Sequence, residues 1–314
     1  MRTKPPPTAR IRIWHRMRRG WTLLLIGLLA TGAAVPAHGR SPSLATATKS
    51  FLWAVEAGSN PVFLLGSIHF LRPDDYPLPP AIDAAYEASR TVVFETDIGR
   101  MQDPRVQARM LELGTLPPGQ NVFTTLDPET RRKLERKLAE AGLPAELIAG
   151  MKPWLIALTL SSLEFMRLGF DPGLGVDMHF YQRAREDGKR TGELETVEQQ
   201  VQILSGMDTR AQKIFLNQTL EELEDVPRMA SDMLRFWISG QTEALRRLLF
   251  KNIDQYPDLR ERMLNRRNQA WLEKIEGLIR QDEAALVIVG AMHLIGPGSL
   301  VELLQMKGYR VEQR

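Results

Sequence analysis

The chain has 314 residues, of which 43% are hydrophobic and 25% are charged, a composition typical of a globular protein with a sizeable core. It contains no cysteine, which excludes thiol catalysis and disulfide bracing. The net charge is +3, but residues 1–39 hold seven of the 41 basic residues and no acidic one; the remaining 34 basic residues face 38 acidic ones, a net charge of −4. The basic character therefore belongs to the N-terminal segment, and we expect no nucleic-acid partner.

Residues 1–39 have the pattern of a secretory signal peptide. A basic stretch ends at Arg19 and an apolar run from Trp21 to Val35 follows, with small residues after it. The run is about 15 residues long, short of the roughly 20 that a membrane-spanning helix needs. We expect an exported protein, periplasmic or associated with the envelope. An uncleaved N-terminal anchor is the alternative, and the only membrane attachment that we expect. Residues 40–50 are predicted to be a linker.

Short runs rich in β-branched and apolar residues predict strands near both ends of the chain. Turn-forming residues between the first two runs predict a hairpin. The predicted strands are Phe51–Glu56, Val62–Leu65, Thr91–Thr96, Arg190–Leu194, Ala285–His293 and Tyr309–Val311.

Helical patterns fill most of the chain between these strands. Asp127-Pro128 predicts an N-cap followed by proline in the first helical turn, and Thr196-x-x-Gln199 predicts a capping box. A mostly apolar helix begins at Lys152-Pro153-Trp154 and is expected to be buried or to cover a groove. Residues 259–280 predict a long amphipathic helix. We therefore predict an α/β (α+β) fold over residues 51–314, a mixed β-sheet flanked by helices, with a helical insertion at about 101–189.

Two copies of one short motif lie at opposite ends of this domain. Phe63–His69 and Val287–His293 are each an apolar run that stops at a glycine and places a histidine three residues later. Only three histidines follow residue 39, and these motifs use two of them. Ligands bind at the carboxyl ends of strands in open α/β sheets, and imidazole is both a metal ligand and a general base. His69 and His293 are therefore candidate site residues; the alternative is that both are structural.

Two carboxylates end other predicted strands. Glu95 follows one strand and Glu195 follows another, so parallel strands would bring both to the edge that holds His69 and His293. Two imidazoles with one or two carboxylates can bind a metal that activates a water molecule. We predict these four residues as metal ligands. The alternatives are a solvated strand end for Glu95 and an acid favoured by the next helix N-terminus for Glu195.

Other polar residues are weaker candidates. Asp97 could add a carboxylate, and Lys152 or Arg266 could neutralise an anionic group, although arginine on an amphipathic helix is usually solvated. His179 is predicted to be a packed or solvated helix residue.

The sequence has no Gly-x-Ser-x-Gly, no His-Glu-x-x-His and no phosphate-binding loop, which disfavours serine-nucleophile, conventional zincin and nucleotide-binding functions.

A collinear series of segments resembles the TraB/GumN family. The resemblance implies a fold shared with erythromycin-esterase-like and haem-binding ChaN-like proteins. It also implies the activity of the Tiki relatives, metal-dependent proteases that favour manganese or cobalt. His69, Glu95 and His293 would correspond to the metal and catalytic positions, whereas Glu195, Arg267 and Asn268 match further motifs. The segments are LLGSIHFL, FETD, KPW, GVDMHFYQRAREDGKRTGELETVEQQ, RRNQAW and IVGAMHLIGPGSLVELLQMKGYRV.

The sequence thus predicts an exported metal-dependent hydrolase, specifically a peptidase, acting on a peptide or small-molecule substrate. His69, Glu95, His293, Arg267 and Asn268 are the predicted catalytic residues. The cofactor would be a divalent ion, with manganese or cobalt favoured and zinc possible. The alternative is a non-catalytic envelope protein that sequesters a peptide or a haem-type ligand. A third option is an accessory protein whose site has decayed.

Overall fold

The computed structural model describes residues 49–56 and 58–314. The predicted signal peptide, residues 1–39, and nearly all of the predicted linker lie outside the described residues. Among the residues that are described, we find no helix whose length and hydropathy would let it cross a bilayer.

A six-stranded mixed sheet forms the centre of the fold, in the order β4-β3-β5-β2-β1-β6. Strand β1 runs antiparallel to both of its neighbours, while β2, β3, β4 and β5 are parallel. Such a sheet confirms the predicted α/β class. The strands are β1 (Leu52–Glu56), β2 (Val62–Ser67), β3 (Thr91–Phe94), β4 (Arg190–Glu193), β5 (Ala285–Gly290) and β6 (Arg310–Gln313).

The central strand β5 is buried on both faces, which explains its continuous apolar sequence ALVIVG. Its register brings Phe94 of β3 level with Ile288, and Ser67 of β2 level with Gly290. The carboxyl ends of β2, β3 and β5 therefore lie side by side. Strand β4, the outermost strand on one side of the sheet, is paired with β3 so that Glu193 is level with Phe94.

Thirteen α-helices surround the sheet in the described part of the chain. Several begin with a side-chain cap; the predicted cap Asp127, for example, accepts hydrogen bonds from the backbone N–H groups of Glu129 and Thr130, both at 3.0 Å. The helices are α1 (Pro80–Ala88), α2 (Ile98–Met101), α3 (Pro104–Gly114), α4 (Pro128–Glu140), α5 (Pro153–Arg167), α6 (Val176–Glu186), α7 (Val197–Ser205), α8 (Thr209–Glu222), α9 (Val226–Ile238), α10 (Thr242–Ile253), α11 (Pro257–Arg260), α12 (Arg266–Arg280) and α13 (Leu300–Met306).

Helices α4, α5 and α8, which lie between the two histidine motifs, build most of a second hydrophobic core beside the sheet. The apolar helix α5 is buried there, as predicted, with Trp154 and Ile156 fully inaccessible. Phe70, the residue after His69, also belongs to this core and stacks on Phe165 at a centroid distance of 5.2 Å. The helical insertion therefore packs directly against the end of β2.

Two predicted elements differ from the structure near the sheet edge. The second histidine motif is a strand only as far as Gly290, because Ala291–Leu294 turn into a 3-10 helix that carries His293 inward. The predicted long helix over 259–280 is interrupted at Glu261–Asn265 by a π-helical turn, in which Arg266 N–H donates to the carbonyl of Glu261. Such turns rotate the residues that follow them, and they often occur at functional sites.

Candidate functional site

The four predicted ligands lie at one edge of the sheet. His69, Glu95 and His293 follow parallel strands β2, β3 and β5, and Glu195 follows β4. His293 Nε2 is 3.7 Å from Glu95 Oε1. Glu195 joins the group through Arg267, whose guanidinium contacts both glutamates. The parallel strands thus bring together side chains from across the chain; the roles of these side chains as ligands or catalysts stay predictions.

Glycine at position 290 leaves open the space in which the side chains converge. A Cβ built on Gly290 would lie 3.3 Å from Glu95 Oε1, 3.7 Å from His69 Nε2 and 3.8 Å from His293 Cδ2. We call this space the Gly290 cleft. The backbone of Gly290, with φ −52° and ψ 138°, is one that any residue adopts, so the glycine is required here for space rather than for conformation.

Three donors hold the Glu95 carboxylate in place. Gly290 N–H donates to Oε1 at 2.7 Å, and Gln200 Nε2 donates to Oε2 at 3.0 Å, where Arg267 Nη2 also donates. Burial alone would raise the pKa of Glu95, but the positive charge of Arg267, the neighbouring histidines and the hydrogen bond from Gly290 together outweigh burial and lower the pKa to about 2. Glu95 is therefore ionised and fixed in one orientation at neutral pH.

Arg267 lies at the centre of the site, in the first turn of α12, the helix that follows the π-helical turn. Its Nη2 and Nε donate to the two oxygens of Glu195 at 2.7 and 3.2 Å, a bidentate pair. Its guanidinium also stacks over the Trp271 ring at 4.5 Å. Burial lowers the pKa of Arg267, but the two carboxylates outweigh it and raise the pKa above its ordinary value. Burial raises the pKa of Glu195, and Arg267 offsets only part of this effect.

The hydrogen bonds around His293 assign its tautomer. Asn268 Nδ2 donates to the carbonyl of Gly298 at 2.7 Å, so its Oδ1 is the atom that accepts from His293 Nδ1–H at 2.6 Å. Nε2 therefore carries the lone pair, and it accepts a hydrogen bond from Arg267 Nη1 at 3.0 Å. Burial, together with the charge of Arg267, lowers the pKa of His293 to about 3. His293 is neutral at any physiological pH.

His69 has a different environment. Its Nδ1–H donates to Asp177 Oδ2 at 2.7 Å, which leaves Nε2 directed toward the Gly290 cleft. The side chain is 45% exposed. Burial would lower the pKa of His69, but the charge and hydrogen bond of Asp177 raise it to about 9. A carboxylate on the far nitrogen is the arrangement that commonly orients metal-binding histidines.

The side chains at this site are of the kinds that bind divalent metals, and His69, with its raised pKa, would have to lose its Nε2 proton to do so. The Nε2 atom of His69, one oxygen of Glu95 and the Cδ2 edge of the His293 ring border the cleft that a Cβ would fill, and each imidazole is oriented through its Nδ1. Residues 49–56 and 58–314 nevertheless contain no group of three or more His, Cys, Asp or Glu side chains already spaced to hold an ion. Arg267 donates to His293 Nε2, so His293 can bind a metal only when Arg267 releases that lone pair.

The weaker candidates lie outside the cluster formed by Arg267, the two glutamates and the two histidines. Lys152 Nζ donates to the carbonyl of Leu113 at 2.7 Å, and Arg266 is solvated, with 71% of its side chain exposed. Asp97 is an N-cap that accepts from Arg100 N–H. His179 packs against Tyr76 and Phe180, in agreement with the packed alternative.

Sequence reasoning missed three of the groups that hold the site together. Asp177 lies 108 residues after its partner His69, Gln200 lies 105 residues after Glu95, and the Gly290 N–H donor is a backbone group. Asp177 and Gln200 both belong to the longest segment of the resemblance, and this was the only signal in the sequence that pointed to them.

Comparison with known proteins agrees with the resemblance. The sequence model of the TraB/PrgY/gumN family matches residues 51–313. Metalloprotease TIKI2 of Danio rerio is 25% identical, over 93% of this chain and 67% of its own length, and human metalloprotease TIKI1 is 24% identical, over 93% and 68%. An uncharacterised protein of Escherichia coli K12, YbaP, is 25% identical over 79% of this chain and 89% of its own length. No solved structure matches the chain.

Proposed function

Because the chain belongs to the TraB/PrgY/gumN family, we propose that it is a metal-dependent hydrolase that cleaves peptides at the Gly290 cleft. The names of the TIKI relatives support a protease and a metal requirement in this family. The observation that carries the proposal is the convergence of His69 Nε2, Glu95 Oε1 and the His293 ring on the space left open by Gly290. We also propose that the protein is exported to the periplasm or envelope, on the pattern of residues 1–39.

His69, His293 and Glu95 would hold the divalent ion, with manganese or cobalt favoured and zinc possible. Such an ion lowers the pKa of a bound water and polarises a carbonyl group. His69 would present Nε2 because Asp177 holds its Nδ1–H, and His293 would present Nε2 because Asn268 holds its Nδ1–H. We therefore propose that Asn268 orients His293 and does not act on the substrate directly.

Arg267 would supply positive charge where negative charge develops on the substrate carbonyl. Glu195 is bound to Arg267 by two hydrogen bonds, a position that favours orientation of the guanidinium over metal ligation. Glu95 is ionised and is held by the backbone of Gly290 and by Gln200. It would accept a proton from the attacking water, or contribute an oxygen ligand.

The first test measures metal content. The full chain, the His69→Ala/His293→Ala double variant and His179→Ala are each dialysed against Mn²⁺, Co²⁺ or Zn²⁺, and bound metal is measured by mass spectrometry. His179→Ala is the matched control, because this histidine packs against aromatic rings outside the cluster. Bound metal should fall in the double variant alone. Full occupancy in the double variant would refute the proposed site.

The second test measures cleavage. A peptide library is incubated with the metal-loaded protein and with the double variant, and fragments are identified by mass spectrometry. Fragments that require both histidines support the hydrolase. Tight binding of peptides without any fragment, with all three metals, would instead support the sequestering protein.

A further inference from the structure

The helical insertion returns to the sheet at the N-terminus of α6, and this end of the helix packs on the backbone of His69. Gly175 precedes α6 and has φ −57° and ψ 149°, a conformation open to any residue. A Cβ at Gly175 would nevertheless overlap the backbone carbonyl of His69, lying 2.6 Å from its carbonyl carbon. Because the obstacle is backbone rather than a flexible side chain, the glycine is required for close approach.

Backbone hydrogen bonds attach the same segment to both sides of His69. Val176 N–H donates to the carbonyl of Ile68 at 3.0 Å, and Asp171 N–H donates to the carbonyl of Leu71 at 2.8 Å. The chain on either side of His69 is therefore held against residues 171–176.

Asp177, in the first turn of α6, then reaches the imidazole itself. Its carboxylate accepts from His69 Nδ1–H at 2.7 Å, and only 17% of the Asp177 side chain is exposed. The His69 imidazole is 45% exposed, so packing covers only about half of it. Its orientation therefore depends on the hydrogen bond to Asp177, and this bond is what directs Nε2 toward the Gly290 cleft.

We propose that the N-terminus of α6 is the element that positions His69, with Gly175 and Asp177 as two positioning residues. Gly175 sets the distance between helix and strand, and Asp177 sets the direction of the ring. His293 is positioned separately, by Asn268 of α12. The two histidines of the site thus depend on different elements, and His69 depends on the helical insertion. This inference rests on the proposed function only in that His69 is taken to be a functional side chain.

The test uses the full chain labelled with ¹⁵N-histidine, without metal, at one pH. The ¹⁵N shifts of the imidazole nitrogens report tautomer and hydrogen bonding, and His69→Gln and His293→Gln assign the two signals. Gly175→Ala should shift or broaden the His69 signal and leave the His293 signal in place. Gly150→Ala is the matched control, because Gly150 has no positive φ and a Cβ there meets no atom within 4 Å; both signals should stay unchanged.

Two variants of Asp177 keep the proposal testable if Gly175→Ala does not fold. Asp177→Ala should change the His69 signal while the His293 signal persists, and Asp177→Asn, which retains an acceptor oxygen but not the charge, should change the His69 signal less than Asp177→Ala does. Unchanged His69 signals in folded Gly175→Ala, or in Asp177→Ala, would overturn the proposal.

None of these readouts needs activity, so a protein that cleaves nothing would refute the proposed function and leave this test intact. If peptides are cleaved, kcat/KM should fall about 100-fold in Gly175→Ala, as expected when a reacting group is misplaced by about 1 Å.

Discussion

Replacing Gly290 with alanine adds one methyl group to the Gly290 cleft and changes nothing else in composition. The backbone at this position, φ −52° and ψ 138°, accepts alanine without strain. The new Cβ would lie 3.3 Å from Glu95 Oε1, closer than an ordinary van der Waals contact, so the carboxylate must shift by a few tenths of an ångström. It would also lie 3.7 Å from His69 Nε2, in the space where a metal or water would bind.

The expected effects on stability and on activity differ in size. Inserting a methyl group into a packed core costs about 1–3 kcal/mol. Because the new Cβ would meet the ends of side chains rather than backbone, we expect the lower end of this range, about 1 kcal/mol. Activity should fall far more, because a displacement of about 1 Å at a reacting centre costs about 100-fold. We therefore expect kcat/KM for peptide cleavage to fall by about 100-fold or more, and the affinity for Mn²⁺ to weaken with it.

Three measurements on Gly290→Ala check this reasoning. Urea unfolding gives the free energy of unfolding, titration calorimetry gives the affinity for Mn²⁺, and the cleavage assay gives kcat/KM. Gly150→Ala provides the control, since its Cβ has no neighbour. A folded Gly290→Ala protein with wild-type metal affinity and activity would refute the role of the Gly290 cleft.

Three further predictions concern charge, pH and capping. Arg267→Met should lower the free energy of unfolding by about 3–5 kcal/mol in urea at pH 7, because it leaves Glu95 and Glu195 buried without their cation; wild-type stability would contradict this. The pKa of the His293 imidazole is about 3 in the folded protein and 6.5 in the unfolded chain. Between pH 6.5 and 3 the imidazole therefore binds a proton in the unfolded state but not in the folded state. The free energy of unfolding should therefore fall as the pH is lowered from 6.5 to 3, and it should fall less steeply in His293→Gln. An equal pH dependence in the two proteins would exclude His293 as the cause. Asp127→Ala should cost about 1 kcal/mol of thermal stability with activity unchanged, and an unaltered Tm would show that the cap contributes nothing.

Much of the fold could be predicted because the sequence patterns that indicate its strands and helix caps involve residues close together in the chain. Strand β5 is apolar throughout since both of its faces are buried, and Asp127 caps its helix through its own neighbouring backbone. The convergence of His69, Glu95 and His293 was predictable for a related reason. Each residue follows a strand, and parallel strands end at one edge of the sheet. Local pattern and strand direction together therefore predicted that these side chains converge; their function stays a proposal.

Contacts between distant segments could not be predicted in this way. No local pattern indicates that Arg267, on an amphipathic helix, turns its guanidinium inward between Glu95 and Glu195. The π-helical turn at Glu261–Asn265 sets the rotation of that helix, and its sequence resembles ordinary helix.

The sequence by itself determined which side chains reach the edge of the sheet, because strand periodicity and chain order suffice for that. Only the tertiary structure decided their chemical states. His69 has a raised pKa because Asp177 returns from the helical insertion, whereas His293 has a lowered pKa because Arg267 and burial surround it. The two Gly-x-x-His motifs thus hold histidines whose pKa values are shifted in opposite directions. A pKa depends on charges and burial within a few ångströms, and those neighbours are set by packing rather than by position in the chain.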